Sequence, residues 1–354
     1  MDEHQSRVTT LLDLPPEIFM LFVKVGHLTL DDVYSMILTC TYVRNMRHLL
    51  FSCLPQRRIY KGFNCIISCI VYSHDGKYIA MCSGSRIHVY DAKFGYRVCV
   101  FKHCLIQDSI AFKLDSRYIV SGMCSFKTPY INSITCWDIE SGKRSHELSV
   151  AIRGNTGTTI TISPDAVYAA FCRCYYSKIR VLIVNTETGN KISEFSISNQ
   201  NIPVRVAFTC DSKLIAIGTV PVYIYDVATG TRITELSGGV ACVSSIAFSP
   251  NKQYVACGGN DSHISVWDIN SGSLLGVHMD SRHMMNVRVI SFSHDSKLIL
   301  SCSYGGKMVI RNVENGDYLK DLRGDRVTSA VFSLDDKQCV ISRYRNEDVK
   351  ISNL

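Results

Sequence analysis

The sequence predicts a mainly β protein: seven similar units of strands and turns joined into one ring, preceded by a small domain of three short helices. Three observations predict it. A pattern made of an apolar pair, a polar turn and a second apolar run occurs seven times. A second pattern, ending on Asp or Asn and a turn, follows each copy in phase. Before the first copy, between Leu14 and Val25, apolar residues recur at helical spacing.

The chain has 354 residues, of which 46% are hydrophobic and 19% charged. That is enough apolar material for a substantial core and argues against global disorder. No apolar run reaches about 18 residues, so no membrane span is expected. The first residues, "MDEHQSR", are too polar and acidic for a secretory signal. A cytoplasmic and/or nuclear protein is the expectation. Net charge is +7. Residues 1–55 hold four Lys/Arg against six Asp/Glu, a net of −2, which leaves +9 on the remainder. A basic body favours acidic or phosphorylated partners.

The first series reads "VYSHDGKYIA" from Val71, "AFKLDSRYIV" from Ala111, "TISPDAVYAA" from Thr161 and "AFTCDSKLIA" from Ala207. It continues as "AFSPNKQYVA" from Ala247, "SFSHDSKLIL" from Ser291 and "VFSLDDKQCV" from Val331. The copies stand 40, 50, 46, 40, 44 and 40 residues apart. The second series is anchored on Asp91, Asp138, Asn185, Asp226, Asp268, Asn312 and Asn353. Asp or Asn beside Gly, Ser or Lys makes a tight turn. The β-branched, aromatic and Cys residues on either side suit strands buried on both faces. One such unit cannot bury its own faces, so neighbours must stack.

Seven phased copies at ~40–45 residues resemble the WD-repeat family, over residues 57–354. The resemblance implies a seven-bladed WD-repeat β-propeller across 55–354. Trp137 and Trp267 keep the Trp of the family's Trp-Asp pair; Tyr90, Val184, Tyr225, Arg311 and Ser352 replace it elsewhere. Seven residues after each first-series Asp or Asn stand Cys82, Gly122, Cys172, Gly218, Gly258, Cys302 and Ser342. All are small, as crowding near a central axis would require. The last copy stops at "KISNL", short of its outermost strand. "RRIYK", Arg57–Lys61, has the shape of that strand and is expected to close the ring, which protects strand edges.

Residues 1–10 read as a polar tail and 11–54 as three helices. Asp13 caps the first, Pro15 and Pro16 open it, and Gly26 ends it. Thr29 caps the second, with Asp32 as its capping-box acid. "TYVRNMRHLLFSCL" reads as the third. The strings "LPPEI" and "LTCTYVRNM" resemble an F-box, with Leu14, Pro15, Ile18, Leu38 and Cys40 at its familiar positions and Val43 in place of a frequent Trp. That resemblance implies docking to a Skp-type adaptor and, through it, a cullin. The chain would then be the substrate-recognition subunit of an SCF-type ubiquitin ligase. The alternative is a WD-repeat interaction scaffold with no ligase role.

In WD-repeat proteins partners commonly meet one mouth of the propeller. Arg288, just after the first apolar residue of its inner strand, is expected there, with Tyr304 and Arg345 before second-to-third-strand turns. Arg326, opening "RVTSAVF", and Arg205, in "PVRVAF", should join them. Guanidinium forks bind carboxylate or phosphate in pairs, so an acidic or phosphorylated protein segment is the expected ligand. No carboxylate pair, nucleophile elbow or phosphate loop suggests an enzyme. His74 and His294 read as solvated turn residues. Sixteen cysteines without a C-x-x-C pair point to packing rather than metal, and no cofactor is expected. The propeller's charge permits nucleic acid, but no basic run with interleaved aromatics supports it.

Overall fold

The computed structural model describes residues 59–60, 63, 65–102, 109–124, 132–150, 158–175, 178–198, 205–239, 241–279, 286–303, 305–323, 327–343 and 349–353. The tail and the three expected helices, with Leu14, Pro15, Ile18, Leu38 and Cys40, lie outside the described residues, as do Tyr304, Arg326 and Arg345.

Seven antiparallel sheets of four strands follow one another along the chain. Blade 1 runs from β2 (Ile67–Tyr72) to β5 (Arg97–Lys102), and blade 2 from β6 (Ser109–Phe112) to β9 (Lys143–Val150). Blade 3 is β10 (Thr158–Ile162), β11 (Tyr168–Tyr175), β12 (Lys178–Asn185) and β13 (Lys191–Ser198). Blade 4 begins with β14 (Arg205–Phe208), blade 5 with β18 (Val243–Phe248) and blade 6 with β22 (Val287–Phe292). Blade 7 is β26 (Val327–Phe332), β27 (Gln338–Arg343) and β28 (Val349–Asn353), completed by β1 (Ile59–Tyr60). Ile59 pairs with Lys350 and Tyr60 with Val349, so two residues from before the first blade complete the sheet of the seventh.

The turn residues recur because each does a fixed job. In blade 1 the Ser73 hydroxyl donates to Asp75 Oδ1 (2.7 Å) and accepts the Tyr78 N–H (2.8 Å). The same carboxylate accepts the Lys77 N–H (3.0 Å). Ser163 with Asp165, Thr209 with Asp211, Ser249 with Asn251, Ser293 with Asp295 and Ser333 with Asp335 repeat the hydroxyl-to-side-chain bond. Blade 2 departs: Lys113 stands at the hydroxyl position and bonds Glu187 of blade 3 instead (2.5 Å). The second series works alike. Asp91 Oδ1 accepts the N–H groups of Lys93 and Phe94 (2.9 and 2.7 Å), and Gly95 closes the turn at φ 77°.

Non-glycine residues hold the left-handed position of six first turns, among them Ser116 (φ 57°), Ser296 (φ 63°) and Asp336 (φ 53°). Such backbone disfavours a side chain, and four of these side chains have a compensating role: Lys252 donates to Asp211 of the preceding blade (3.0 Å), and Ser116, Ser296 and Asp336 also bridge turns. Ser116 and Ser296 hydroxyls accept the N–H of Asp75 and Asn251 from the preceding blade (3.2 and 2.9 Å). The Asp336 carboxylate accepts from His294 and Asp295 (2.8 and 2.9 Å). Neighbouring blades are thus tied turn to turn. His74 and His294 are exposed, as expected of turn residues. His74 also reaches two other blades, its Nε2 3.2 Å from Phe112 O and 3.1 Å from Pro164 O.

Apolar cores fill the seams between adjacent blades; Phe112, Ile119 and Trp137 of blade 2, for example, pack with Ile87 and Phe101 of blade 1. The small-residue column lies where inner strands meet, and every member is buried. A Cβ on Gly258 would stand 2.6 Å from Val287 Cγ1 and 2.8 Å from its Cβ. On Gly218 it would stand 2.8 Å from Val243 Cγ1. Val287 and Val243 open the next blade's inner strand, so there is no room to give. Gly258→Val is expected to cost about 2–3 kcal/mol of unfolding free energy by overpacking. Urea unfolding reads it; an unchanged midpoint would contradict this account of the column.

Candidate functional site at the strand-start rim

Because the blades are antiparallel, inner strands begin at the end of the ring where second strands finish. Arg288 sits at that end. Val287 pairs with Ser303 and Val289 with Cys302, so Arg288 is an extra residue at a register shift, pushed outward and exposed. The same shift places Ser68 in blade 1, Ser244 in blade 5 and Thr328 in blade 7.

Arg205 is placed differently. It stands directly opposite Gly218, the column residue of blade 4. Its counterpart in blade 6 is therefore Val289, one residue beyond Arg288. Half-buried, it donates from Nε to the Ser244 carbonyl oxygen of blade 5 (2.9 Å). Ser244 and Ser245 hydroxyls in turn reach the Val287 carbonyl of blade 6 (2.6 and 2.9 Å). Arg205, Ser244 and Val287–Arg288 thus form one connected arc over blades 4, 5 and 6. Burial and then the charge of Arg288 hold the Arg205 guanidinium below the usual arginine range. Two like charges sharing one arc make a place where an anion is favoured.

Of the five rim residues expected from sequence, Arg205 and Arg288 are described, at register positions one residue apart; Tyr304, Arg326 and Arg345 lie outside the described residues. Sequence reasoning missed Ser244, whose carbonyl fixes Arg205. The second residue of each inner strand, read as a column, would have found it.

The family model for the WD domain, G-beta repeat, matches residues 55–91 and 230–268. The chain carries WD40 repeats. The chain is 28% identical over 151 residues to WD repeat-containing protein SL1-17 of Schistosoma mansoni, covering 41% of this chain and 46% of that protein. It is 28% identical over 138 residues to a periodic tryptophan protein 2 homolog of Schizosaccharomyces pombe, covering 35% and 16%. It is 26% identical over 185 residues to THO complex subunit 3 of Arabidopsis thaliana, covering 52% and 56%. The matches thus span about half of two of these relatives and a smaller part of the third. No F-box model matches the chain.

Trp137 Nε1 donates to Ser121 Oγ within blade 2 (2.9 Å), whereas Trp267 Nε1 turns to the Ser237 carbonyl (3.2 Å). Both rings also belong to the apolar cores of their seams. The described cysteines are unbridged, and most are buried or half-buried. Burial raises the Cys99 thiol to about 12 and Cys339 to about 11, and pushes Cys257 and Cys302 up as well. Thiols so held are not thiolate nucleophiles; they pack WD40 blades. No helix among the described residues is long and apolar enough to cross a membrane.

Proposed function

We propose that this chain is a protein-interaction receptor whose rim captures an acidic or phosphorylated segment of a partner. On this reading residues 11–54 carry that partner to a Skp-type adaptor and a cullin, as the substrate-recognition subunit of an SCF-type ubiquitin ligase. The single observation that supports the rim is the arc joining Arg205, Ser244 and Arg288, which runs from a half-buried guanidinium in the seam to an exposed one at the mouth of the ring. The order of segments supports the ligase half: an F-box-like string standing directly before a propeller. The chain itself would do no covalent chemistry. It would hold a substrate near an enzyme, and proximity would supply the acceleration.

A second reading keeps the rim and drops the ligase. Its support is that the relatives are named as WD-repeat proteins and as a subunit of the THO complex. One pull-down from cell extract separates the two, comparing the intact chain with a Leu14→Ala, Pro15→Ala double variant. A Skp-type adaptor and a cullin recovered with the intact chain alone are the expected result. Their absence from both leaves a propeller scaffold. Independently, Arg205→Gln with Arg288→Glu should weaken capture of acidic phosphopeptides at least about tenfold, the scale of one lost charge-assisted hydrogen bond.

A further inference from the structure

The outermost strands of the blades differ in how their edges are protected. Such a strand points alternate backbone N–H and C=O groups away from its sheet, where another strand can take them. β5, β9, β13, β17 (Arg232–Leu236) and β25 (Tyr318–Arg323) each hold two or more Lys, Arg, Asp or Glu residues. Charges on an edge keep other chains from adding to it. The outermost strand of blade 5, β21 (Leu274–Met279), reads Leu-Leu-Gly-Val-His-Met and holds none. β1 holds none either, but it is two residues long. Among the described residues no strand pairs with the outer side of β21.

The register makes the difference specific. Leu274 stands opposite Trp267 and Gly276 opposite Val266, so Leu275 is an extra residue at a register shift, and it is 44% exposed. Ile233 of β17 and Leu319 of β25 occupy the same shift in the neighbouring blades and are 55% and 52% exposed. There the apolar residue has charges beside it: Arg232 bonded to Glu235 in β17 (3.4 Å), and exposed Lys320 and Asp321 in β25. Three consecutive blades thus present one apolar bulge, and only the middle one presents it on an uncharged edge. Gly276 follows at once, and glycine within a strand suits the close approach of another backbone.

We propose that β21 takes an extended, uncharged segment of a partner protein as a fifth strand of blade 5. Backbone hydrogen bonds supply the attachment, and charge supplies the selection. A Lys or Asp in the incoming strand would lie beside Leu274 and Leu275, with no opposite charge on β21 to meet it. On the five charged edges the same residue finds a counterpart. The neutral edge therefore fits a neutral segment rich in apolar and β-branched residues. The site goes beyond the receptor reading, since it needs neither the rim arginines nor residues 11–54.

The test titrates the full chain with a capped, labelled peptide containing Thr-Val-Thr-Leu-Thr-Val, and follows amide hydrogen exchange. Two control peptides carry Lys for both Val, or N-methyl groups on every amide of that stretch. The neutral peptide should bind, no more weakly as salt rises, and should slow exchange in β21 but not in β17 or β25. The Lys peptide should bind at least about tenfold more weakly and the methylated one not at all. Leu275→Lys should weaken binding about tenfold, the scale of one lost leucine contact. Leu319→Lys and Arg288→Glu should leave it unchanged, which separates this edge from its neighbour and from the rim. Circular dichroism confirms that the variants fold. The proposal is overturned if the neutral peptide fails to bind at about 1 mM, the edge of specific affinity, or if either control binds as well. It is also overturned if the slowed amides lie outside β21. The same holds if β21 becomes protected without peptide as protein concentration rises, which would assign the edge to a second copy of the chain.

Discussion

A chain shortened to begin at Ile66 is expected to unfold at lower urea and to associate, whereas one beginning at Gln56 keeps full stability and stays monomeric. The difference is ten residues, and two structural elements lie within them. The first is β1, whose removal leaves β28 as an unpaired edge, an invitation to pairing with another chain. The second is Phe63, fully buried in the core that joins blades 1 and 7. Its ring packs edge-on against His88 (4.9 Å) and tilted against Tyr90 (6.0 Å). Emptying a buried Phe site costs about 3–5 kcal/mol, and loss of the closing strand adds to that. Phe63→Ala isolates the packing contribution and should show most of the stability loss without the association. Equal urea midpoints and a single monomer peak for all three chains would refute the closure argument.

The ring was legible in the sequence because its turns admit few residue types. A hydroxyl at Ser73 and a carboxylate at Asp75 satisfy local N–H groups that nothing else reaches, so the pair returns blade after blade. The column of small residues was legible for a similar reason: Gly258 has Val287 against it. The rim was harder to read. Val204–Arg205–Val206 and Val287–Arg288–Val289 are the same tripeptide, yet the two arginines occupy different register positions. Blade 6 has one more residue between the arginine and its turn hydroxyl, since Arg288 stands five residues before Ser293 and Arg205 four before Thr209. That extra residue is the register shift, and it moves a side chain from the seam to the mouth. Counting back from the turn shows that the Arg205 copy is one residue short; the structure shows that the missing residue is the shifted one.

Stability of the protein should fall as pH drops from about 6.5 towards 4, and a single buried ring in blade 1 should account for much of the change. His88 is 2% exposed. It lies edge-on to Phe63 and stacked with Tyr90 (6.4 Å), and its Nδ1 has no hydrogen-bond partner among the described residues. Burial, then the charges of Arg97 and Arg86, lower its pKa from 6.5 to about 4. The sign follows from proton counts. Below 6.5 the unfolded chain binds a proton at this position that the folded chain refuses until about 4, so acid favours unfolding across that interval. Above 6.5 both states are neutral here and the contribution vanishes; below 4 both are charged and the penalty is constant. At about 1.4 kcal/mol per pH unit of displacement, the full loss over about 2.5 units is about 3.5 kcal/mol. His88→Phe keeps an aromatic ring in an aromatic site and removes the proton. Its urea midpoint should therefore match the parent's more closely at pH 7 and exceed it at pH 5. Parallel pH profiles for parent and variant would show that His88 takes up its proton in place and that the acid sensitivity arises elsewhere.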